Sequence, residues 1–436
     1  MSISKIISKY KDDLKVLEVS TSVNTHKHSV FFSGLSGNLD VILPLSVSQK
    51  DESSHCFILS DKEKALVFYS NLCNFLNKNK VYFFPFSFLS PYDEDLLNNA
   101  NVVMRTETAQ AVVSKKKEKI YIVTYPEGLF EKFPSEKFQN KLSLSIEKKQ
   151  KLDIKSLRNT LLDRGFTLED FIAQPGDLAI RGNIIDVFSF SYKDPIRIEM
   201  DGDFVEKIKV FNVESQLTKR EEESVVVVSN LQSNRESGEY LSLFRFFDSN
   251  WRVWSDGVSL SANIISEKYL KSVDLFKKNQ KKSNVLLKLP PEKIFLDKVS
   301  FLNEIRSFKV IEIQNKTIKG AKKIHFNSTP QPSFNKNLSL LADDLKNLEE
   351  KGYLINISFQ SEEQALRLSS YFESIGLTTK IRMLTTKLSE GFVDHENKIV
   401  FYTDHQIFNR YYKHNFQPKV IKKQKNSIKD RSELST

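Results

Sequence analysis

The stretch that decides the fold runs from Leu161 to Gln216 and reads LLDRGFTLEDFIAQPGDLAIRGNIIDVFSFSYKDPIRIEMDGDFVEKIKVFNVESQ. Strand patterns occur in it at 178–180, 184–188, 195–200 and 204–211. The last two flank Asp201-Gly202-Asp203, and an Asp-Gly pair between alternating apolar runs is a strong hairpin signal. Ahead of these strands, Asp153 and Gly165 are typical cap residues for a helix over 154–164. The stretch therefore predicts a small α+β unit.

Charged and apolar residues alternate along the third predicted strand of this stretch. In the segment Ile196–Met200 the apolar side chains share one face, while Arg197 and Glu199 share the other. Successive side chains of a strand point to opposite faces. We therefore expect one face of the sheet to be buried and the other to present charges of both signs to solvent or to a partner. No catalytic constellation occurs in the stretch.

The order of short strings in this stretch resembles one region of two repair families. The strings are GF, F, PGDLAIRGNIIDVF, PIRIE, DGDFVEKIKVFN and SQ. In this order they resemble a small region that the nucleotide excision repair protein UvrB shares with the transcription-repair coupling factors. In both families the region is the domain that docks onto the UvrA ATPase. The resemblance implies that residues 141–228 form an inserted α+β docking domain whose partner is UvrA.

We expect five residues of this domain to contribute to the docking surface: Arg181, Asp186, Phe188, Arg197 and Glu199. Arginine can form bidentate pairs with carboxylates, and an exposed phenylalanine can anchor a binding hot spot. Two alternatives stay open. Arg181 could instead be a turn residue beside Gly182, and Phe188 could instead be a core residue.

Length and composition limit the classes of protein to consider. The chain has 436 residues, 40% of them hydrophobic, which is enough for several domains with their own cores. Its two cysteines and seven histidines show no metal-ligand spacing, so we predict no metal site, no disulfide framework and a reducing, cytoplasmic location. We see no signal-peptide pattern and no apolar run long enough to span a membrane. We expect a monomer without membrane contact.

The net charge of +10 favours contact with polyanions such as nucleic acids. Much of the excess, however, lies in Lys-rich runs at 115–117, 277–282 and 419–429, and such runs are usually solvated loops or tails. We interpret 277–282 as a loop and 418–436 as a basic linker or tail. The charge alone therefore does not identify a nucleic-acid site.

Residues 1–140 alternate strand and helix patterns, which predicts a parallel α/β sheet covered on both faces. A short helix is expected over 39–43, with Pro44 stopping or kinking it. We assign residues 229–332 to the same module as its second part, with strand patterns at 286–289 and 309–314. The strand pattern at 225–228 is assigned to this sheet as well.

The loop after the first predicted strand is where a nucleotide would bind in such a module. A phosphate-binding loop follows the pattern GxxxxGK[ST], in which backbone N–H groups and Lys hold phosphate and Ser or Thr holds magnesium. The corresponding loop here is shorter and is followed by Asp40; its residues are Gly34, Ser36, Gly37 and Asn38. An aspartate beside a triphosphate would repel it. The pattern favours a tight turn that binds no ligand.

The second nucleotide motif of such a module is also incomplete. Asp256 keeps the aspartate that would hold magnesium, but Gly257 follows it where a glutamate would orient water. In the coupling factors, the first module looks like the UvrB motor fold with an eroded nucleotide site. The resemblance therefore implies a degenerate P-loop-like module, and we expect no cofactor in this chain.

Residues 333–417 show a compact alternation of strands and helices and are predicted to be a small α/β third domain. A Pro-containing segment at 328–333 precedes it and is interpreted as a linker. Gly391-Phe392 and the run 399–408 resemble the third domain of the coupling factors, which UvrB lacks in this position. This match favours the coupling factors over UvrB. The family's polymerase-binding domain and translocase motor, with its ATP and magnesium, have no counterpart in the sequence.

These features favour one function and leave two alternatives. The first is recruitment of UvrA to stalled transcription in nucleotide excision repair, with damaged DNA and RNA polymerase reached indirectly through domains outside this sequence. The second is part of an ATP-dependent DNA translocase whose motor lies outside this chain. The third is a non-specific basic DNA-binding fragment, which would need a basic stripe interleaved with exposed aromatic residues.

Overall fold

The computed structural model describes residues 3–25, 30–76, 78–88, 92, 98–114, 118–137, 139, 143–190, 192, 194–228, 238–281, 289–313 and 322–412. The helices of these residues are α1 Ile3–Lys11, α2 Leu14–Thr25, α3 Leu39–Ser48, α4 Lys62–Phe75, α5 Asn99–Ser114, α6 Pro126–Phe130, α7 Ile154–Asp163, α8 Val258–Lys281, α9 Pro291–Ile294, α10 Lys298–Ile305, α11 Leu338–Glu350, α12 Glu362–Ser374 and α13 Asp404–Ile407, with two 3₁₀ turns at Lys78–Lys80 and Leu243–Phe246.

The strands are β1 Val30–Ser33, β2 Ser54–Ile58, β3 Val81–Phe84, β4 Tyr121–Thr124, β5 Phe133–Pro134, β6 Ser143–Glu147, β7 Thr167–Leu168, β8 Asp177–Arg181, β9 Ile184–Val187, β10 Ile196–Asp201, β11 Phe204–Phe211, β12 Thr218–Glu222, β13 Ser224–Val228, β14 Tyr240–Leu241, β15 Trp251–Ser255, β16 Lys309–Ile313, β17 Lys322–His325, β18 Ser328–Pro330, β19 Leu354–Ser358, β20 Ile381–Leu384, β21 Phe392–Asp394 and β22 Ile399–Thr403.

The chain divides into two compact units. The first unit comprises the described residues of Met1–Leu96, Glu107–Glu136 and Glu236–Phe416. The second unit comprises those of Leu97–Thr106 and Lys137–Arg235. The predicted α/β multi-domain fold is confirmed. No helix of the described residues is long and apolar enough to cross a membrane.

The first unit contains a seven-stranded sheet in the order β17-β1-β16-β15-β2-β4-β3, and every pairing in it is parallel. Strands β1, β2 and β4 are buried along their whole length. This is expected for a parallel sheet whose two faces are covered. Strands β1 and β15 have their carboxyl ends at the same edge of this sheet. The loop that begins at Gly34 follows β1, and Asp256 follows β15.

A five-stranded sheet of the first unit has the order β18-β21-β22-β19-β20 and is built from residues 328–403. Its two helices begin at side-chain caps, because Asn337 accepts a hydrogen bond from the Leu340 N–H and Ser361 accepts one from the Gln364 N–H. Three of the six residues interpreted as a linker at 328–333 form β18, which pairs with β21. The linker interpretation is wrong there, and Pro330 is tolerated because β18 is an edge strand.

The second unit is organised around a six-stranded sheet in the order β12-β11-β10-β9-β8-β7. Strands β8 to β11 and the Asp201-Gly202 turn lie where the sequence predicts them, whereas β7 and β12 were not predicted. Helix α7 begins at Asp153, whose side chain accepts hydrogen bonds from the Lys155 and Ser156 N–H groups. Leu157 and Leu161 of this helix pack with the buried face of the sheet in one apolar core.

Three further expectations about secondary structure are wrong, each because of tertiary packing. Residues 225–228 pair with β6 in the second unit, where Val225 and Val227 join its core, rather than with the large sheet. Helix α8 continues through 277–281, since Phe276 packs against Tyr92 with ring centroids 5.6 Å apart. Helix α3 continues beyond Pro44, because nearly all of its side chains are buried and their packing offsets the lost hydrogen bond. The expected strand at 286–288 and the basic tail at 418–436 lie outside the described residues.

Candidate interface and a closed loop

One face of the six-stranded sheet, which we call the outer face, points away from the core containing α7. It is formed by alternate side chains of β8 to β11 and the residue after β9: Ala179, Arg181, Asp186, Phe188, Arg197, Glu199, Lys209 and Phe211. The register places Arg197 between Asp186 on β9 and Lys209 on β11. All five predicted docking residues therefore belong to this one face.

Asp186 is the centre of a charge cluster on the outer face. Its Oδ1 accepts a hydrogen bond from Arg197 Nε at 2.7 Å, and its Oδ2 accepts from an Arg197 terminal nitrogen at 2.9 Å. Arg181 donates to the same Oδ2 at 2.5 Å. The Asp186 side chain is only 2% exposed, whereas those of Arg181 and Arg197 are 39% and 20% exposed. A buried carboxylate thus holds two partly exposed guanidinium groups in fixed positions.

Two further contacts fix Arg197. It donates to Gln216 Oε1 at 3.1 Å, and its guanidinium lies over the ring of buried Phe211, 4.4 Å from the centroid. Hydrogen bonding to Asp186 raises the pKa of Arg197, so this side chain stays charged at all physiological pH values. Glu199 forms a separate ion pair with Lys209 at 2.7 Å, and both side chains are partly exposed. Such a pair contributes little to stability.

Phe188 belongs to the outer face but is covered there rather than exposed. It is 5% exposed and packs in a small apolar cluster with Ile172, Ala179 and Phe211. The expectation of an exposed phenylalanine anchor at this position is therefore wrong, and the core alternative is correct. Alternation along β9 places Phe188 on the outer face, but it does not reveal that a loop carrying Ile172 covers that part of the face.

Phe171 is the most exposed aromatic side chain among the described residues of the second unit, at 69%, and it is not among the residues predicted from the sequence. It lies in the loop between β7 and β8, and the centre of the Arg181 guanidinium is 5.0 Å from its ring centroid. The adjacent Ile172 is buried. Two adjacent apolar residues in a short loop do not show which of them is exposed, so no local signal in the sequence identifies Phe171.

The loop after β1 is closed by its own chain. The Asn38 N–H donates to the carbonyl of Glu390 at 3.3 Å, and Asn38 Oδ1 accepts from the Glu390 N–H at 2.8 Å. Gly37 has a φ of +51°, and a Cβ added there would lie 2.4 Å from the carbonyl oxygen of Gly391. Ser36 donates to the Ser328 carbonyl, and Ser328 donates to the Gly34 carbonyl at 2.7 Å. Residues 389–391 thus lie directly against the N-terminus of α3.

Carboxylates gather at the same edge of the large sheet. Burial, reinforced by the nearby charges of Glu390 and Asp256, raises the pKa of Asp40 to about 8. Burial also raises the pKa of Asp256, whose Oδ2 accepts a hydrogen bond from the Ser60 N–H at 3.0 Å. The two residues predicted from separate motifs, Asp40 after the loop and Asp256 after β15, therefore do interact. The charges of Glu390 and Asp256, which help to keep Asp40 protonated, also disfavour a bound anion at this edge.

Residues 144–232 match the family model of the UvrB interaction domain. The chain contains a UvrB interaction domain. The match begins in β6 and extends past β13, so the UvrB interaction domain covers the six-stranded sheet, α7 and the outer face. All five predicted docking residues and Phe171 lie inside it.

Curated relatives extend the similarity beyond the UvrB interaction domain. The chain is 29% identical to the transcription-repair-coupling factor of Rickettsia bellii over 175 residues, which are 40% of this chain and 15% of that protein. It is 24% identical to the transcription-repair-coupling factor of Borreliella burgdorferi over 334 residues, 68% of this chain and 29% of that protein. The matched regions thus span less than a third of the length of these relatives. The resemblance to the coupling factors is confirmed.

Proposed function

We propose that this chain binds UvrA through the outer face of its UvrB interaction domain and so recruits it to stalled transcription in nucleotide excision repair. The observation that carries the proposal is the pair of arginines held by buried Asp186 within this domain. The similarity to relatives named transcription-repair-coupling factors supports the link to stalled transcription. Such a role takes place in the cytoplasm, and damaged DNA and RNA polymerase would be met through other parts of the assembly.

The geometry of the arginines suits recognition of carboxylates. A guanidinium has five N–H donors in a rigid fork, and the hydrogen bond from Arg181 to Asp186 engages one of them. Because both arginines are already ordered, binding costs less side-chain entropy than it would with mobile side chains. Glu199, paired with Lys209 at the margin, can contribute to orientation through charge complementarity.

The test is a titration of purified UvrA against this chain and two arginine variants. Arg181→Ala removes one partly exposed guanidinium while Arg197 continues to neutralise Asp186. Arg220→Ala is the matched control, since Arg220 is 54% exposed but lies opposite Val210, on the other face of the same sheet. We expect tight binding by wild type and the control, and about tenfold or greater weakening by Arg181→Ala. No binding by folded wild-type protein would refute the proposal.

We also propose that the loop after β1 holds no nucleotide. Residues 389–391 contact the N-terminus of α3, where phosphate binds in a functional site. The charges of Glu390 and Asp256, which raise the pKa of Asp40, also disfavour phosphate there. These contacts favour recruitment of UvrA over ATP-dependent DNA translocation as the function of this chain. Calorimetric titration with ATP and magnesium should give no saturable heat. Saturable, magnesium-dependent binding that Gly37→Ala abolishes would instead favour the translocase alternative.

A further inference from the structure

Phe171 is an exposed aromatic side chain on an ordered loop. The carboxylate of Asp177, itself 3% exposed, accepts hydrogen bonds from the Ala173 and Gln174 N–H groups, both at 2.9 Å. Ile172 anchors the same loop in the apolar cluster beneath the outer face. On the N-terminal side of the ring, the Glu169 N–H donates to the Leu178 carbonyl at 2.8 Å. The backbone on both sides of the ring is therefore fixed, although the ring itself is 69% exposed.

The ring of Phe171 lies beside the guanidinium of Arg181, whose position is fixed by Asp186 on the outer face. The Arg181 guanidinium is 5.0 Å from the ring centroid and is held on its other side by Asp186. An exposed, pre-ordered ring beside an ordered arginine has the composition of an interface hot spot, in which aromatic and arginine side chains contribute most of the affinity. Little conformational entropy is lost when such a pair is buried by a partner.

We propose that Phe171 is the anchor through which the UvrB interaction domain docks, inserting into an apolar pocket of UvrA whose rim carries a carboxylate facing Arg181. This inference rests on the proposed UvrA-binding function and adds a residue to it. The ring supplies the apolar contact that Phe188, being buried, cannot supply. The neighbouring guanidinium favours an acidic group at the pocket rim. Asp186 carries one negative charge against the two positive charges of Arg181 and Arg197, so a cationic or apolar rim would desolvate a net positive charge.

The experiment measures UvrA binding to immobilised full-length chain by surface plasmon resonance. Phe171→Ala should weaken binding roughly 30-fold, mostly through faster dissociation. Phe171→Leu keeps apolar volume but loses the aromatic face over Arg181, so it should fall between wild type and Phe171→Ala. Phe204→Ala is the matched control, because Phe204 is 53% exposed in the same sheet but sits at the β10–β11 turn. It should bind like wild type.

The outcomes separate this inference from the function on which it rests. If wild type binds UvrA and Phe171→Ala binds equally well, Phe171 is not the anchor and only the inference fails. If Phe171→Ala and Phe204→Ala weaken binding to the same extent, general loss of exposed apolar surface explains the effect and the inference also fails. If wild type does not bind, the proposed function and the inference fail together. Circular dichroism of each variant confirms that the substitutions leave the fold intact, as expected at such exposed positions.

Discussion

Asp40 allows a quantitative prediction about how the first unit responds to pH. The pKa of this carboxyl rises from 3.8 to about 8 in the folded protein because of burial and the facing carboxylates of Glu390 and Asp256, with Lys64 acting in the opposite direction. The folded state therefore retains a proton between about pH 4 and pH 8 that the unfolded chain releases. Because the unfolded state binds fewer protons there, stability must fall as pH rises through this window.

The magnitude follows from the same pKa values. Between pH 6 and pH 9 the wild-type protein loses roughly 2.7 kcal/mol from this group, because the loss is about 1.36 kcal/mol for each pH unit below the folded-state pKa and levels off above it. Asp40 keeps some contact with solvent, so screening reduces the figure and we expect ~2 kcal/mol. Asp40→Asn mimics the protonated acid and cannot release a proton. The variant should therefore lose ~2 kcal/mol less stability than wild type between pH 6 and pH 9.

The assay is urea unfolding at pH 6 and pH 9, followed by tryptophan fluorescence. Both tryptophans, Trp251 and Trp254, lie in β15, so the signal reports the first unit alone. Asp343→Asn, at an exposed position on α11, is the matched control and should follow wild type. Equal pH dependence in wild type and Asp40→Asn would refute the reasoning, since it would mean that Asp40 is not held in its protonated form.

Two further predictions concern the closed loop and the charge cluster. Gly37→Ala should destabilise the first unit by about 2–4 kcal/mol in the same urea assay. Gly37 has a φ of +51°, and a Cβ there would lie 2.4 Å from the Gly391 carbonyl oxygen. Unchanged stability would mean that residues 389–391 do not contact the loop closely. Asp186→Ala should destabilise the second unit by about 3 kcal/mol, because it leaves Arg181 and Arg197 adjacent without their shared anion. Hydrogen exchange of the β9 and β10 amides measures this, and exchange at the wild-type rate would contradict it.

Features encoded by neighbouring residues could be predicted from the sequence. The Asp201-Gly202 turn, the caps at Asp153 and Ser361, and the alternation along β10 each depend on a few adjacent positions, and each is present. These signals were enough to predict the small α+β unit and the alternation along β10 that places Arg197 and Glu199 on one face.

Features that depend on distant partners could not be predicted in this way. The apolar pattern at 225–228 fits either sheet, and only the pairing of Val225 with Ile146 decides between them. The closed loop at Gly37 depends on Gly391, which is far away in the sequence, and no local pattern indicates that contact. Phe171 and Ile172 are equally apolar, so the cluster that buries Ile172 is what leaves Phe171 exposed.

The structure divides the predicted docking residues into two physical roles that sequence reasoning treated alike. Arg181 and Arg197 retain exposed surface and can touch a partner, whereas Asp186 and Phe188 are buried and act by holding others in place. An isolated buried carboxylate is costly, so Asp186 is tolerated only because two cations neutralise it. Those cations are in turn ordered only because the carboxylate is there. The charge cluster is therefore a single cooperative element. Under the proposed function, the affinity of the outer face for UvrA would depend on Asp186, which is buried.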